Sequence, residues 1–132
     1  MKRIIYYLFA TFALISCTNK ALDGKWHVEH IDGVEIGDVF NEPCLEFDSD
    51  KSEYHGVTGV NIVNGTIKVV GNKITFKDGP MTRMAADPHS MSVETAYLKA
   101  IENTASFLIE DGTLLLKDDK GATLMELTKV NH

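Results

Sequence analysis

The chain has 132 residues, of which 44% are hydrophobic and 24% charged, with a formal net charge of −6. This composition is that of an ordinary globular protein and the length suits one domain, so disordered, collagenous and coiled-coil classes are excluded. The acidic balance argues against a nucleic-acid binder, which needs clustered cations to neutralise phosphates. The two cysteines, Cys17 and Cys44, are too few for a disulfide scaffold or a four-thiolate zinc site.

The first residues of the chain predict an export signal. Lys2 and Arg3 form a basic start, and an apolar stretch of twelve residues, 4–15, follows them. A transmembrane helix needs about 20 residues, so this stretch is too short and is typical of a signal peptide. The stretch leads into Leu14-Ile15-Ser16-Cys17, which resembles the bacterial lipobox, in which the cysteine is lipidated and becomes the first mature residue. The alternatives are an ordinary secretory signal and a buried N-terminal helix.

Cleavage at this motif defines the expected organisation of the chain. Residues 1–16 are the removed signal peptide, residues 17–22 the lipidated Cys17 and a tether, and residues 23–130 the folded domain. The mature chain would hold 116 residues with 11 basic and 19 acidic side chains, a net charge of −8. Thr18 stands where an aspartate would resemble an inner-membrane retention signal, so we expect a lipid-anchored protein of the bacterial outer membrane.

The folded domain reads as a β meander. Short runs of alternating apolar and polar residues, separated by Gly, Asn and Asp, predict about eight antiparallel strands. Asn64-Gly65 is expected to open the fourth strand, and Asp111-Gly112 to form a two-residue hairpin turn. Closure into a small barrel would remove the exposed edges of the sheet. The eight runs contain Trp26, Leu45, Tyr54, Ile67, Ile74, Phe107, Leu114 and Thr123–Leu127.

One segment changes to helical spacing and predicts an amphipathic helix near 91–103. Ser90 or Ser92 is available as its N-cap, and Glu94 would lie in the first turn, where a carboxylate suits the helix dipole. Such a helix can cover one end or one face of a small barrel. The apolar residues at helical spacing are Met91, Val93, Ala96, Tyr97, Ala100 and Ile101.

Seven short motifs occur in a fixed order along the chain. They are Leu22–Val28, Ile31–Gly33, Pro43–Asp48, Gly56–Asn61, Gly65, Thr82–Ala85 and Glu94–Leu98. With these motifs in register, the chain resembles the META domain, the family of the HslJ-type heat-shock lipoproteins, over residues 22–129. The resemblance implies a small β-rich domain, secreted or membrane-tethered in bacteria, and a link to stress response, antibiotic tolerance or virulence. No enzymatic activity is established for the family as a whole, so we expect a protein that is not an enzyme.

The resemblance also marks two departures. The family often has cysteines where this chain has Val60 and Ala86. If the two family cysteines pair, this chain has replaced a disulfide with apolar packing. A redox role for this motif is therefore not expected here.

The glycines of the fourth motif have a structural interpretation and a functional one. Gly56 and Gly59 suit a bulge or a close approach of the backbone, and Asn61 can bond backbone groups across a turn. The structural interpretation is that this loop shapes the fold. The functional alternative is a loop at the barrel rim that contacts a partner.

The segment before the helix carries Thr82, Arg83 and Met84, which have the same two interpretations. Arg83 is the only arginine after Cys17. In an acidic protein we expect it to form a structural salt bridge with Asp87 or Glu94. Recognition of an anion is the alternative.

Residues able to support catalysis or metal binding are sparse. Cys44 lies beside an apolar run with no local base or cation to activate it, so we expect a buried, inert thiol. His27 and His30 are three residues apart and would face opposite sides of a regular strand, a poor arrangement for a shared metal. We therefore predict no catalytic residue, no metal site and no cofactor.

Two functional hypotheses follow. The first is a monomeric, non-enzymatic envelope lipoprotein that binds an unknown protein in stress tolerance, through a loop rim or an exposed strand edge. The second is a carrier of a small ligand or an inhibitor-type barrel that acts on a host or competitor enzyme, for which an acidic surface would suit a basic target. The interior distinguishes them, because side chains that fill the barrel leave no ligand cavity. The large candidates for the interior are Trp26, Phe47, Phe76, Phe107 and Leu114.

Overall fold

Polar and apolar residues alternate along the strands, so one face of each strand is buried and the other meets solvent. The computed structural model describes residues 20–131, in which eight antiparallel strands form a closed barrel in chain order. The predicted mainly β fold, nearly closed into a barrel, is confirmed. The elements are β1 Gly24–Ile31, β2 Cys44–Asp48, β3 Glu53–Val57, β4 Ile62–Val70, β5 Lys73–Met81, α1 Pro88–Asn103, β6 Ser106–Glu110, β7 Thr113–Lys117 and β8 Thr123–Lys129.

The barrel interior is filled by large apolar side chains from every strand. Phe76 is only half-buried, but its ring stands edge-on to the buried Tyr54, with ring centroids 5.0 Å apart. A small barrel packed in this way has a solid core rather than a lumen. The largest fully buried side chains include Trp26, Leu45, Ile74, Leu114, Leu116, Met125 and Leu127.

The folded domain begins before β1. A short helical turn at residues 20–22 brings Leu22 into the core, where it is fully buried. The indole Nε1 of Trp26 donates a hydrogen bond to the Leu22 carbonyl at 2.8 Å, and the Lys129 ammonium lies 4.7 Å from the Trp26 ring centroid. Leu22 therefore belongs to the folded domain rather than to the tether, because its side chain and carbonyl complete the packing around Trp26. The predicted signal peptide and Cys17 lie outside the described residues.

The predicted start of β4 at Asn64-Gly65 is wrong. β4 begins at Ile62, and the two residues sit inside it, where its register with β5 shifts between Val63 and Gly65. A Cβ at Gly65 would collide with the Lys77 carbonyl oxygen of β5 and fall 2.6 Å from Tyr54 Cε1. Glycine here leaves room for the β5 backbone and for the Tyr54 ring within the sheet, and it is not a turn residue.

The predicted N-caps Ser90 and Ser92 are wrong as well. The helix starts at Pro88, and the Asp87 carboxylate caps it by accepting from the Ser90 amide at 2.9 Å and the Ser90 hydroxyl at 2.7 Å. The residue before a proline is held in extended geometry, and proline at the first helical position needs no hydrogen-bond acceptor. The bonds from Ser90 lower the pKa of Asp87.

The helix and the N-terminal residues lie at opposite ends of the barrel. Tyr97 of α1 donates from its hydroxyl to the carbonyl of Cys44, the first residue of β2, at 2.8 Å. Lys20 and Asp23 instead contact the turn just after β2, with Lys20 Nζ 3.4 Å from an Asp50 oxygen. We call the end covered by α1 the helix end. Among residues 20–131 no helix has the length and apolar character needed to cross a membrane.

Candidate functional site

The motif residues meet in a buried polar network at the helix end. The Thr58 hydroxyl donates to Glu94 Oε1 at 2.6 Å, and the Asn61 side-chain amide donates to the same oxygen at 2.9 Å. Glu94 is only 6% exposed and lies in the second turn of α1. The prediction that its carboxylate serves the first turn is therefore wrong, because α1 starts earlier than expected. Glu94 instead joins the helix to the loop at 58–61.

Asn61 extends this network to the segment before the helix. Its Oδ1 accepts from the Thr82 hydroxyl at 2.9 Å and from the Met84 amide at 2.7 Å, and its Nδ2 also donates to the Met84 carbonyl at 3.1 Å. Asn61 is 1% exposed, so water does not compete for these bonds. One amide side chain thus holds together the 58–61 loop, the 82–84 segment and α1.

The two motif glycines let the helix approach the barrel. At Gly56 a Cβ would collide with the Tyr97 hydroxyl oxygen and lie 3.1 Å from the Cys44 carbonyl oxygen. Gly59 has a φ of +113°, and a Cβ there would lie 3.1 Å from Val93 Cγ1. The absence of a side chain at both positions therefore sets the distance between the loop and α1.

Arg83 is not part of the network, and the predicted salt bridge with Asp87 or Glu94 is wrong. Both carboxylates are engaged by other donors, Ser90 for Asp87 and the Thr58–Asn61 pair for Glu94. Arg83 is exposed and has no carboxylate partner within the part of the chain that the structure describes. Its guanidinium is free to meet a partner.

Three exposed side chains near the network are large and apolar. Phe40 is 60% exposed, Ile62 49% and Met84 48%. The backbone amide of each residue donates a hydrogen bond to a motif residue or to α1. The Phe40 amide donates to Ser90 Oγ. The Ile62 amide donates to Thr82 Oγ1, and the Met84 amide to Asn61 Oδ1. Sequence reasoning missed Phe40, because an isolated aromatic residue in a loop is normally interpreted as core.

Cys44, at the start of β2, is half-buried. Burial raises the pKa of its thiol; the nearby Lys25 charge and a backbone hydrogen bond with Val57 act in the opposite direction. A raised pKa leaves little thiolate at neutral pH, and the thiolate is the nucleophile.

We therefore expect slow alkylation of Cys44. In a Cys17→Ser variant, where Cys44 is the sole thiol, the rate with iodoacetamide should lie below that of free glutathione. Its rise with pH should be centred above the ordinary thiol pKa of about 8.5. The measurement is the alkylation rate by mass spectrometry across a pH series. A midpoint below that of glutathione would instead identify Cys44 as an activated thiol.

The two histidines of β1 lie on the same side of the strand, contrary to the prediction. A bulge between Val28 and His30 shifts the register against β8, and both histidine side chains meet solvent. His27 Nε2 lies 3.4 Å from Glu29 Oε2, and His30 Nε2 lies 3.8 Å from Glu126 Oε2. Over residues 20–131, no three His, Cys, Asp or Glu side chains are grouped as a metal site would require.

The fold and the network together define a class of protein: an eight-stranded barrel whose helix end is held by a buried Thr–Asn–Glu cluster. The family model of the META domain matches residues 19–131, and the chain belongs to the META domain family. The resemblance inferred from the motifs is thereby confirmed. A search of curated proteins returns no match.

Solved structures with the same fold include two proteins from bacteria. An NMR structure of a protein from Burkholderia xenovorans is 21% identical over 88% of each chain, with a TM-score of 0.64. The crystal structure of a DUF4847 family protein from Bacteroides vulgatus is 15% identical over 84% of this chain and 95% of that chain, with a TM-score of 0.59. At these identities the likeness establishes the fold alone.

Proposed function

We propose that the protein is a lipid-anchored lipoprotein of the bacterial outer membrane that binds another protein and catalyses no reaction. This proposal rests on the observation that the polar side chains of the motifs bond to one another in the interior. Thr58, Asn61 and Glu94 are buried and bonded to one another, so they support the loops rather than face a substrate. Among the exposed side chains at the helix end, Arg83 and the apolar Phe40, Ile62 and Met84 suit contact with a protein surface.

The position of the N-terminal residues supports an orientation on the membrane. Only two residues separate Cys17 from Lys20, where the helical turn begins. A chain of this length spans about 10 Å at most, so a lipid on Cys17 would hold the barrel close to the bilayer. The helix end, opposite Lys20, would then face away from the membrane and be open to partners.

The packed interior favours protein binding over carriage of a small ligand. A carrier site for a small molecule typically has a volume of roughly 300 Å³ or more inside the protein. In residues 20–131 the barrel axis is occupied by buried side chains such as Trp26, Leu45 and Leu114. A role in envelope stress tolerance is the part of the proposal that comes from the resemblance to the HslJ-type lipoproteins.

Crosslinking in whole envelopes tests the binding role. A photoreactive amino acid at Met84, on the helix end, should give a discrete crosslinked band whose partner mass spectrometry identifies. The same amino acid at Asp50, at the opposite end, is the control and should not give that band. An envelope protein would support the stress-tolerance role, whereas a secreted host or competitor enzyme would support an inhibitor. A monomeric band at both positions, with a small molecule in the purified protein, would contradict the proposal.

The anchor is tested by a Cys17→Ala variant. Without a thioether-linked lipid, the protein should move from the membrane fraction to the soluble fraction, because stable anchoring depends on buried acyl chains. Cys44→Ala is the matched control and should stay with the membranes. Immunoblots of fractionated cells give the result, and a Cys17→Ala protein that remains on the membrane would overturn the lipoprotein assignment.

A further inference from the structure

Within the described residues, the barrel leaves the edge of β5 largely unpaired. Its pairing with β6 is confined to Lys73 and Ser106. Beside that pair, the Ile74 amide donates to the Ala105 carbonyl at 3.1 Å and the Phe107 amide to the Asn72 carbonyl at 2.9 Å. Beyond Ile74, β5 continues for seven more residues, to Met81, with β4 on one side only.

Backbone groups of this edge point away from β4. In an antiparallel pair, every second residue directs its N–H and C=O away from the partner strand. Ile74 does so, since its amide reaches Ala105, and the alternation then assigns the same direction to Phe76 and Asp78. Neither Phe76 nor Asp78 has a backbone partner on that side within the described residues. A free edge of this kind is a template for an added strand.

A groove of about 350 Å³ adjoins this edge, between β5 and α1. Its apolar floor includes Tyr54, Val63 and Ile101, which are buried. Asp78, Gly79 and Met81 line it from β5, so the groove follows the free edge itself. Other lining side chains are Arg83, Leu98 and Glu102.

We infer that the β5 edge and this groove bind an extended peptide segment of a partner protein, which adds to the sheet as a strand beside β5. The segment would carry a basic side chain toward Asp78 and Glu102, and an acidic side chain on the outer face beside Lys77. This inference rests on the proposed protein-binding function and gives it a location and a recognition chemistry. Strand addition supplies main-chain hydrogen bonds for affinity, and alternate side chains supply specificity.

The charges on the two faces of β5 determine which segment fits. Asp78 and Glu102 are exposed and form no ion pair among residues 20–131. Asp78 and Tyr54 both line the groove. Burial raises the pKa of the Tyr54 hydroxyl, and the Asp78 charge adds to this effect. Lys77 lies on the outer face of the strand and is exposed. Opposite charges directly across a strand pair are favourable, so the two faces select opposite charges in the segment.

The same residues disfavour a second copy of this chain as the occupant. Pairing of two β5 edges would bring Lys73 and Lys77 of one copy near those of the other, and like charges across a strand pair are destabilising. Pro80 removes one backbone donor near the end of the edge. Edge lysines and prolines are a common protection against self-association.

A displayed library of random peptides, each roughly twelve residues long, provides the probe. Enriched peptides should alternate, with basic residues on one face and acidic residues on the other. In NMR spectra of the labelled full chain, they should shift the amides of Phe76 and Asp78 and slow the hydrogen exchange of both. An N-methylated backbone should abolish this binding.

Charge reversal separates the groove from the general acidity of the protein. A double Asp78→Lys, Glu102→Lys variant should weaken the selected peptides by about tenfold. The matched control, Asp50→Lys with Glu110→Lys, makes the same charge change at exposed carboxylates outside the groove and should weaken them less than about twofold. Both variants change surface residues, and their spectra report whether the barrel is intact.

Three outcomes would overturn the inference. They are a library without binders, binders whose shifts map away from β5, and a concentration-dependent dimer whose interface maps to β5. If envelope crosslinking still captures a partner at Met84 in any of these cases, the protein-binding function stands and only its location at β5 fails.

Discussion

Replacing Asn61 with alanine is expected to lower the free energy of unfolding by about 3 kcal/mol, because it leaves several buried groups without partners. The variant loses the donor to Glu94 Oε1 and the acceptor for both the Thr82 hydroxyl and the Met84 amide. Asn61 is 1% exposed, so bulk solvent does not reach the groups that lose these bonds. Chemical denaturation followed by tryptophan fluorescence measures the change.

Asn103→Ala is the matched control for this substitution. Asn103 is exposed and donates from Nδ2 to the Lys99 carbonyl at 2.8 Å. Its loss is expected to cost less than about 0.5 kcal/mol, as at most surface positions. Equal losses for Asn61→Ala and Asn103→Ala would show that the network does not stabilise the fold.

An isosteric change at Asn61 is expected to make the stability of the protein depend on pH through the network. Asn61→Asp keeps the acceptor for Met84 but replaces the amide donor, 2.9 Å from Glu94 Oε1, with a second carboxylate. Two carboxylates at this distance favour a protonated form in the folded state. The folded-state pKa of the pair is then raised, so the variant should be most stable at low pH and lose stability as pH rises toward neutrality. A pH profile parallel to that of the unmodified protein would contradict this account.

The second large effect is expected at Gly56. Gly56→Ala should lower the free energy of unfolding by about 3 kcal/mol, at the upper end of the cost of overpacking. The added methyl group would collide with the Tyr97 hydroxyl, and Tyr97 is fully buried. Either the ring or α1 must move, and the hydrogen bond from Tyr97 to the Cys44 carbonyl is then lost.

A double-mutant cycle tests this cause directly. Tyr97→Phe alone removes one buried hydrogen bond and should cost about 1 kcal/mol. In the Gly56→Ala, Tyr97→Phe double variant the hydroxyl clash is absent, so the loss should be smaller than the sum of the two single losses by at least about 1 kcal/mol. Additive losses would show that the glycine acts through backbone freedom and not through space for Tyr97.

The two predictions assign a common task to the motif that carries the family resemblance. Gly56 makes room for Tyr97, and Asn61 binds the segment that leads into the helix. Both residues act where α1 covers the barrel. The motif therefore specifies how the helix end is closed, while the groove beside β5 and the exposed rim remain for recognition.

Much of the fold could be predicted because its signals are local. Alternation of apolar and polar residues marks a strand wherever it occurs, and helical spacing marked most of α1. The errors fell where a neighbour distant in sequence decides. Asn64-Gly65 has the composition of a turn, but pairing with Tyr54 of β3 and Asp78 of β5 makes Gly65 part of β4. Arg83 has two nearby carboxylates in sequence, but other donors engage both.

The sequence by itself determined the family, the eight strands and the motif residues, because order, spacing and alternation are properties of the chain. Tertiary structure alone decided the partner of Glu94, which bonds to Thr58 from 36 residues away. It alone also exposed the free edge of β5, since pairing with β6 ends after one residue pair. Hydrogen bonds of this kind depend on how strands and helix meet in space, and no local pattern encodes that distance.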